Sequence, residues 1–327
     1  MAPHAIQAVN LDANEALFFT RQLEYIKSQS YDIKYPDLKA QQLIPISSEA
    51  GEGAQTIVYY TYDRTGMFKI ISNYADDLPR AEVKGTEVIT KIKTIGGSFA
   101  YNYEEIQAAM FAGLPLQARK AAAARLAYEQ AVNRIAWLGD IENNVVGVLY
   151  HPNVTKYSAA ATGTGSSRLW KDKTPTQLIA DVNAWINDII TLTKGVETPN
   201  TVLLPIKQYT QLATTPYSAL DNSGAVQSVS NMTVLGFLKQ AHPEITVWDF
   251  VPDFTGLKTK PSDGTTSTVD VAMVFKRDPN NLTLEIPLPF KQLNTQERGL
   301  EYITPCLARI AGVIVYYPLS ISIIDSI

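Results

Sequence analysis

Apolar positions along this chain change rhythm twice. From Thr56 to Tyr62, and again from Thr86 to Ile95, Ile, Val, Thr and Tyr predominate, the residue types that fit a pleated surface. Between them, Asp63 to Gly85 carries charges of both signs, Gly66, Pro79 and Gly85, and one short apolar patch from Met67 to Ile71. An excursion of that length without a core of its own is usually functional or disordered. Flanked by two strand patterns, it predicts a two-stranded arm that reaches a neighbouring subunit. From Tyr103 to about Leu138 the rhythm is helical, interrupted by Gly113 and Pro115, where proline removes a donor and clashes with the preceding turn. Beyond that break Leu116, Ala123, Leu126, Ala127, Ala131, Ile135 and Leu138 form a predicted buried side, and Arg119, Lys120, Arg125, Glu129 and Arg134 stay wet. The alanine run from Ala121 favours helix and lets another backbone approach. Gly139 and Asp140 end the helix.

Upstream, Asp12 or Asn14 can cap a helix reaching about Ser28, with Leu17, Phe18, Arg21, Tyr25 and Ile26 on one stripe. Residues 31–53 contain Pro36, Pro45 and few periodic apolar positions, so they read as extended chain that gains order by lying on something else. Ser158 to Ser167 reads as a flexible linker at a change of domain. Thr174 then caps a helix with Pro175 in its first position and Leu178, Ile179, Val182, Trp185, Ile186, Ile189 and Ile190 on one face. A strand at Thr201 to Leu204, helices near Ile206 to Ala213 and Ser230 to Gln240, and a strand at Glu244 to Phe250 complete an α/β unit. Val269 to Lys276, Leu282 to Ile286 and Leu300 to Ser322 read as strands that return beside the long helix.

Candidate chemistry is sparse. His4, His151 and His242 have no partners at metal-ligand spacing, and the last two precede prolines, as solvated loop histidines do. Cys306 is the lone cysteine, which excludes an internal disulfide and reads as a small buried thiol. The Gly163 to Ser167 loop lacks the lysine of a phosphate-binding loop. Asp76-Asp77 and Glu104-Glu105 are adjacent carboxylates. A hydrolase or divalent-metal site could use such pairs, but neighbouring residues point different ways, which favours surface charge. A net charge of -4 leaves no basic footprint for sequence-specific nucleic-acid binding. The first residues have no basic lead or continuous apolar run, and no stretch approaches the ~20 apolar residues that span a bilayer, so a soluble cytoplasmic product is expected.

Three runs, SNYADDLPRAEVKG from Ser72, IGGSFAYNYEEIQAAMFAGLPL from Ile95 and YEQAVNRIAWLGDIENNVVGVLYHPNV from Tyr128, resemble major capsid proteins of tailed bacteriophages. The resemblance extends in order from Leu23 to the C-terminus. It implies an α+β fold of the Hong Kong 97 phage type: an N-terminal arm at residues 1–55, an extended β-hairpin loop at 56–100, a peripheral domain with a long spine helix at 101–157 and 268–327, and an axial domain at 168–267. It places Arg64, Lys69, Asp76, Asp77, Arg80 and Lys84 in the extended loop as inter-subunit contacts, where unlike charges set register against a neighbour. Some relatives join a loop lysine to an asparagine of an adjacent subunit. Lys69 and Lys84 lie in that region, yet no motif identifies the asparagine or its helper glutamate, so both are read as solvated lysines.

The expectation is therefore a structural protein, not an enzyme and without a cofactor, that forms hexamers and pentamers of itself in an icosahedral shell around double-stranded DNA. Portal, scaffold or decoration proteins and non-specific contact with packaged DNA complete the implied partners; no membrane is among them. An encapsulin-type nanocompartment is the first alternative, and a cytoplasmic carboxylate-dependent hydrolase the second.

Overall fold

A computed structural model of the chain describes residues 35–66, 80–112, 116–220 and 226–327. The expected helix between Asp12 and Ser28, the Met67 to Ile71 patch and the break at Gly113 and Pro115 lie outside these residues.

Chain order within the body is α1 (Ala40–Leu43), β1 (Ile46–Ser47), β2 (Thr56–Thr65), β3 (Glu82–Lys91), β4 (Lys93–Asn102), α2 (Tyr103–Ala112) and α3 (Leu116–Leu138). After two short strands, β5 (Gly139–Asp140) and β6 (Val145–Val146), come β7 (Thr155–Ser158), α4 (Pro175–Leu192), β8 (Thr201–Leu204) and α5 (Ile206–Thr214). A small hairpin of β9 (Pro216–Leu220) and β10 (Val226–Thr233) leads into α6 (Val234–Ala241) and β11 (Val247–Phe250). The C-terminal part is all strand: β12 (Leu257–Thr259), β13 (Thr266–Val269), β14 (Val271–Phe275), β15 (Leu282–Glu285), β16 (Leu288–Gln292), β17 (Gln296–Arg298), β18 (Glu301–Ile310), β19 (Gly312–Val315) and β20 (Ile321–Asp325).

A five-stranded mixed sheet in the order β11-β8-β14-β20-β7 stands at the centre. Side chains alternate across a strand, and here the alternation feeds two separate cores. Leu203, Met273, Phe275, Ile321 and Ile323 join one with Trp137 and Phe254. Val202, Leu204, Ala272, Val274 and Ile324 join the other with Trp170, Trp185 and Leu178 from beneath α4. Buried on both faces, these strands read as continuous apolar runs. The helix α4 starts where Thr174 predicts. The Thr174 hydroxyl accepts from the Gln177 amide and Gln177 Oε1 accepts from the Thr174 amide, a complete capping box.

Several boundaries differ from the sequence expectation, each for a local reason. The helix expected from Ser230 begins at Val234, because residues up to Thr233 pair with β9 and the Thr233 hydroxyl then accepts from the Gly236 amide. The strand expected from Val269 to Lys276 is interrupted at Asp270, whose carboxylate accepts from Gln208 Nε2 and the Gly256 amide. Leu300 to Ser322 is three strands. Gly312 turns the chain at φ +86, and a Cβ there would lie 2.7 Å from Val145 Cγ1. Within the segment expected to be extended, Ala40–Leu43 form a short helix instead, with Ala40, Leu43 and Ile44 buried in the first core, while β1 is extended and lies on β15.

The Ser158 to Ser167 segment is not a loose linker. Arg168 and Lys173 donate to the carbonyls of Ala159 and Ala160, Gln177 donates to that of Thr162, and the Gly163 amide donates to Ser167. Lys173 continues inward to Asp181 at 2.5 Å, both side chains buried, and Trp170 Nε1 donates to the same Oδ2 at 3.0 Å. Removing one member of a buried pair leaves an uncompensated charge, typically at a cost of ~3–5 kcal/mol. Lys173→Met should therefore lower the denaturant midpoint of the free subunit strongly. Adding Asp181→Asn, which keeps an acceptor for Trp170, should restore most of the loss; a double variant as unstable as the single one would contradict this account.

Candidate assembly interface

A long ladder joins β4 to β18 in antiparallel register from Asn102↔Glu301 to Lys93↔Ile310. β16 and β17 pair with the other edge of β18. Across this sheet lies α3, with Tyr128 against Phe290 at a ring-centroid separation of 5.3 Å. This is the spine helix that the sequence predicts, but its expected buried face is only partly buried. Val132, Ala136 and Trp137 at its C-terminal end are enclosed, whereas Ala123 and Ala127 are exposed and Leu126, Ala131, Ile135 and Leu138 half-buried. The reason is the alanine run: methyl groups are too short to fill the space over Gly96 and Gly97. A hollow of about 220 Å³ remains there, lined also by Ala124, Ala127, Tyr128 and Phe290.

Directly before β4 the chain leaves the body as the β2–β3 hairpin, paired from Thr56↔Lys91 to Thr65↔Glu82. Ile92 is buried, and its amide donates to the Gln55 carbonyl at the hairpin root. Tyr59 meets Tyr316 edge-on at 5.0 Å. Burial, then the neighbouring Tyr316, raises the Tyr59 pKa, so the hydroxyl stays neutral. Beyond this root no third strand joins the pair among the described residues.

Of the predicted contact residues, Arg64, Arg80 and Lys84 are all exposed. Arg64 lies opposite Val83 and Lys84 opposite Asp63, so Arg64 and Lys84 occupy opposite faces of the ribbon. Lys69, Asp76 and Asp77 lie outside the described residues. The exposed apolar side chains of the same ribbon, Tyr60 and Tyr62 above all, escaped the sequence reading. Their signal was present as a Val58-x-Tyr60-x-Tyr62 alternation.

Of the two carboxylate pairs, Asp76-Asp77 lies outside the described residues, and Glu105 of the other is engaged by a lysine. Glu105 accepts from Lys120 Nζ at 2.6 Å and from the Asn102 amide, while Lys120 also donates to the Ala100 carbonyl. The hydrogen bond from Lys120 holds the Glu105 carboxyl below its ordinary range, the opposite of a raised general acid. His242 is no solvated loop histidine: it ends α6, with Nδ1 2.7 Å from Glu244 and Nε2 2.8 Å from Asn183. Burial, then Lys156, lowers the His151 pKa. Cys306 is buried in β18, with its thiol pKa raised by burial. Among the described residues no three His, Cys, Asp or Glu side chains gather as metal ligands, and no helix is long and apolar enough to cross a membrane.

A hairpin launched from the root of a long ladder, a spine helix across that sheet and a two-core α/β unit together define the Hong Kong 97 phage-like capsid fold. The chain matches the family described as "Major capsid protein" over residues 66–327 and belongs to it. It is similar to a chain of the capsid of Myoviridae phage XM1, at a TM-score of 0.77 and 17% identity over 94% of this chain and 98% of that one. A chain from the capsid of a native GTA particle gives a TM-score of 0.62 at 9% identity, covering 97% and 98%. One from Mycobacterium phage Ogopogo gives 0.59 at 13%, covering 94% and 98%. No curated protein sequence matches the chain. The protein is thus a structural component of a capsid, and its family is not one of enzymes.

Glu105 carries a pH prediction. Its folded-state pKa is depressed, so the stability from its bond to Lys120 is present above the unfolded carboxyl pKa and is lost as pH falls through the folded value. Thermal midpoints of the parent and Glu105→Gln proteins should differ at neutral pH and converge in acid; a difference that grows on acidification would refute the assignment.

Proposed function

We propose that this chain is the repeating subunit of the icosahedral head of a tailed bacteriophage, made in the host cytoplasm and closed around double-stranded DNA. The observation that carries the reading is the β2–β3 hairpin, a ten-residue strand pair anchored at its root and, among the described residues, projecting without a third strand. A two-stranded hairpin alone is marginal in water. In a shell each copy supplies cover for the next, and many weak contacts close a symmetric object.

The β2–β3 hairpin serves as the extended loop, whose expected range of 56–100 shortens to end before β4, which pairs with β18 in the body. Residues 101–157 and 268–327 act as peripheral domain and 168–267 as axial domain in hexamers and pentamers, with residues 1–55 as the arm. No residue is assigned a catalytic role. Portal, scaffold and decoration proteins are the further partners, and a chain of net charge -4 touches packaged DNA only non-specifically.

Purified full-length protein should form closed shells visible by electron microscopy, with a sedimentation coefficient far above that of one chain; a compact monomer at every concentration tested would overturn the reading. The loop charges give a second test. Arg80 is exposed at the start of the return strand, and Arg80→Glu should leave the circular dichroism of the free subunit unchanged while raising the concentration needed for assembly. Exposed pairs contribute only ~0.2–1 kcal/mol each, but the change recurs at every copy. An unaltered threshold would remove Arg80 from the interface.

A further inference from the structure

The hairpin has two unlike faces. Strand alternation and the Thr56↔Lys91 register put Ile57, Tyr59, Val88 and Thr90 on one face at the root, where all four are half-buried against the body. Further out that face becomes polar, with Thr61, Asp63, Thr86 and Lys84 exposed. The other face is apolar over its length. Val58, Tyr60 and Tyr62 come from β2, and Val83 and Ile89 from β3. These five side chains are between 41% and 67% exposed.

Local geometry keeps this face flat and continuous. The Tyr60 and Tyr62 rings lie 6.4 Å apart and nearly parallel, at 27°. Opposite Tyr62 stands Gly85, where an added Cβ would lie 3.2 Å from the tyrosine ring, so the ring is seated over bare backbone. Three charges flank the apolar side chains on this face, Arg64 towards the outer end, Glu87 in the middle and Lys91 at the root. A covered aromatic side chain buries about 150–250 Å². Two tyrosines and three aliphatic residues at these exposures leave open an apolar area on the order of several hundred Å², the scale at which a patch marks a contact.

The chemistry selects the occupant. A nucleic acid would require a clustered basic face, and here Arg64 and Lys91 stand at opposite ends with Glu87 and the apolar side chains between them. The chain's own body already covers the other face at the root. The chain belongs to the major capsid protein family, whose subunits meet one another in a shell on the reading above, and it leaves a largely apolar hollow over Gly96, Gly97, Ala124 and Ala127 beside its spine helix. We propose that the Val58, Tyr60, Tyr62, Val83 and Ile89 face, rather than the loop charges, supplies most of the hairpin's inter-subunit contact, and that its occupant is a second copy of this chain. The proposal rests on the shell reading and assigns its contact to one side of one ribbon.

The test uses full-length protein carrying the photo-crosslinker p-benzoylphenylalanine in place of Tyr60 or, on the opposite face, of Thr61, each diluted into parent protein so that shells form. Irradiated shells should yield chain-to-chain adducts from position 60 and several-fold fewer from position 61. In parallel, Tyr60→Ser combined with Tyr62→Ser should raise the assembly threshold at least tenfold, with the circular dichroism of the free subunit unchanged. Parent shells with equal adducts from both positions, with adducts from position 60 only to nucleic acid or another protein, or with an unchanged threshold for the double variant, would overturn the proposal and leave the shell reading intact. Parent protein that never forms shells removes both.

Discussion

Everything distinctive about this subunit hangs on the antiparallel ladder between β4 and β18. It joins a strand from the first third of the chain to one near its end, with sequence separations around 200 residues. Such closure is entropically costly, and burial compensates for it. Ala308 and Ile310 point from β18 into the interior, and Ile92 is buried where β4 begins. Once the ladder is formed, its two ends determine what the rest can do. At the Lys93 end the chain turns out into the hairpin, and at the Asn102 end it turns into α2, whose Tyr103 amide donates to the Leu300 carbonyl. Hairpin and spine helix are therefore aimed by one rigid element.

The central mixed sheet divides labour in a complementary way. Because its strands are apolar on both faces, it holds two cores together without an intervening linker. Lys39 ties the first part of the chain to the rim of this sheet, 2.6 Å from Asp249 and with its ammonium 3.6 Å from the Phe250 ring centroid. Asn133 on the spine accepts from the Ala40 amide and donates to Asp253. The body is thus cross-braced where it is buried. On the hairpin, by contrast, Val58, Tyr60, Tyr62, Val83 and Ile89 are left exposed.

Legibility in the sequence followed the strength of local signals. Helix α4 could be read almost to the residue because Thr174, Pro175 and Gln177 form a start signal that needs no tertiary information. The hairpin strands were legible from β-branched and aromatic alternation, though pairing extends them to Thr65 and back to Glu82, and the expected strand from Thr86 to Ile95 is divided at Ile92 between β3 and β4. The spine's buried face was misread because periodicity reports which residues could share a side, not whether anything lies opposite, and alanine is compatible with either. Interruptions at Asp270 and Gly312 depend on distant partners, Gln208 and Val145, that no local window contains. The interface was sought among charges, whose spacing carries no partner information. The apolar stripe is encoded in every second residue of β2, and became visible once the register with β3 fixed which side faces out.

The most direct test of the central claim, a rigid ladder that launches a hairpin completed by its neighbours, is amide hydrogen exchange on the free subunit and on assembled shells. Amides of β4 and β18 should be protected in both states, since their ladder lies within one chain. Those of β2 and β3 between Tyr60 and Val88 should exchange readily in the free subunit and become protected on assembly. Equal protection of the hairpin in both states, or a β4–β18 ladder that exchanges freely before assembly, would contradict the account.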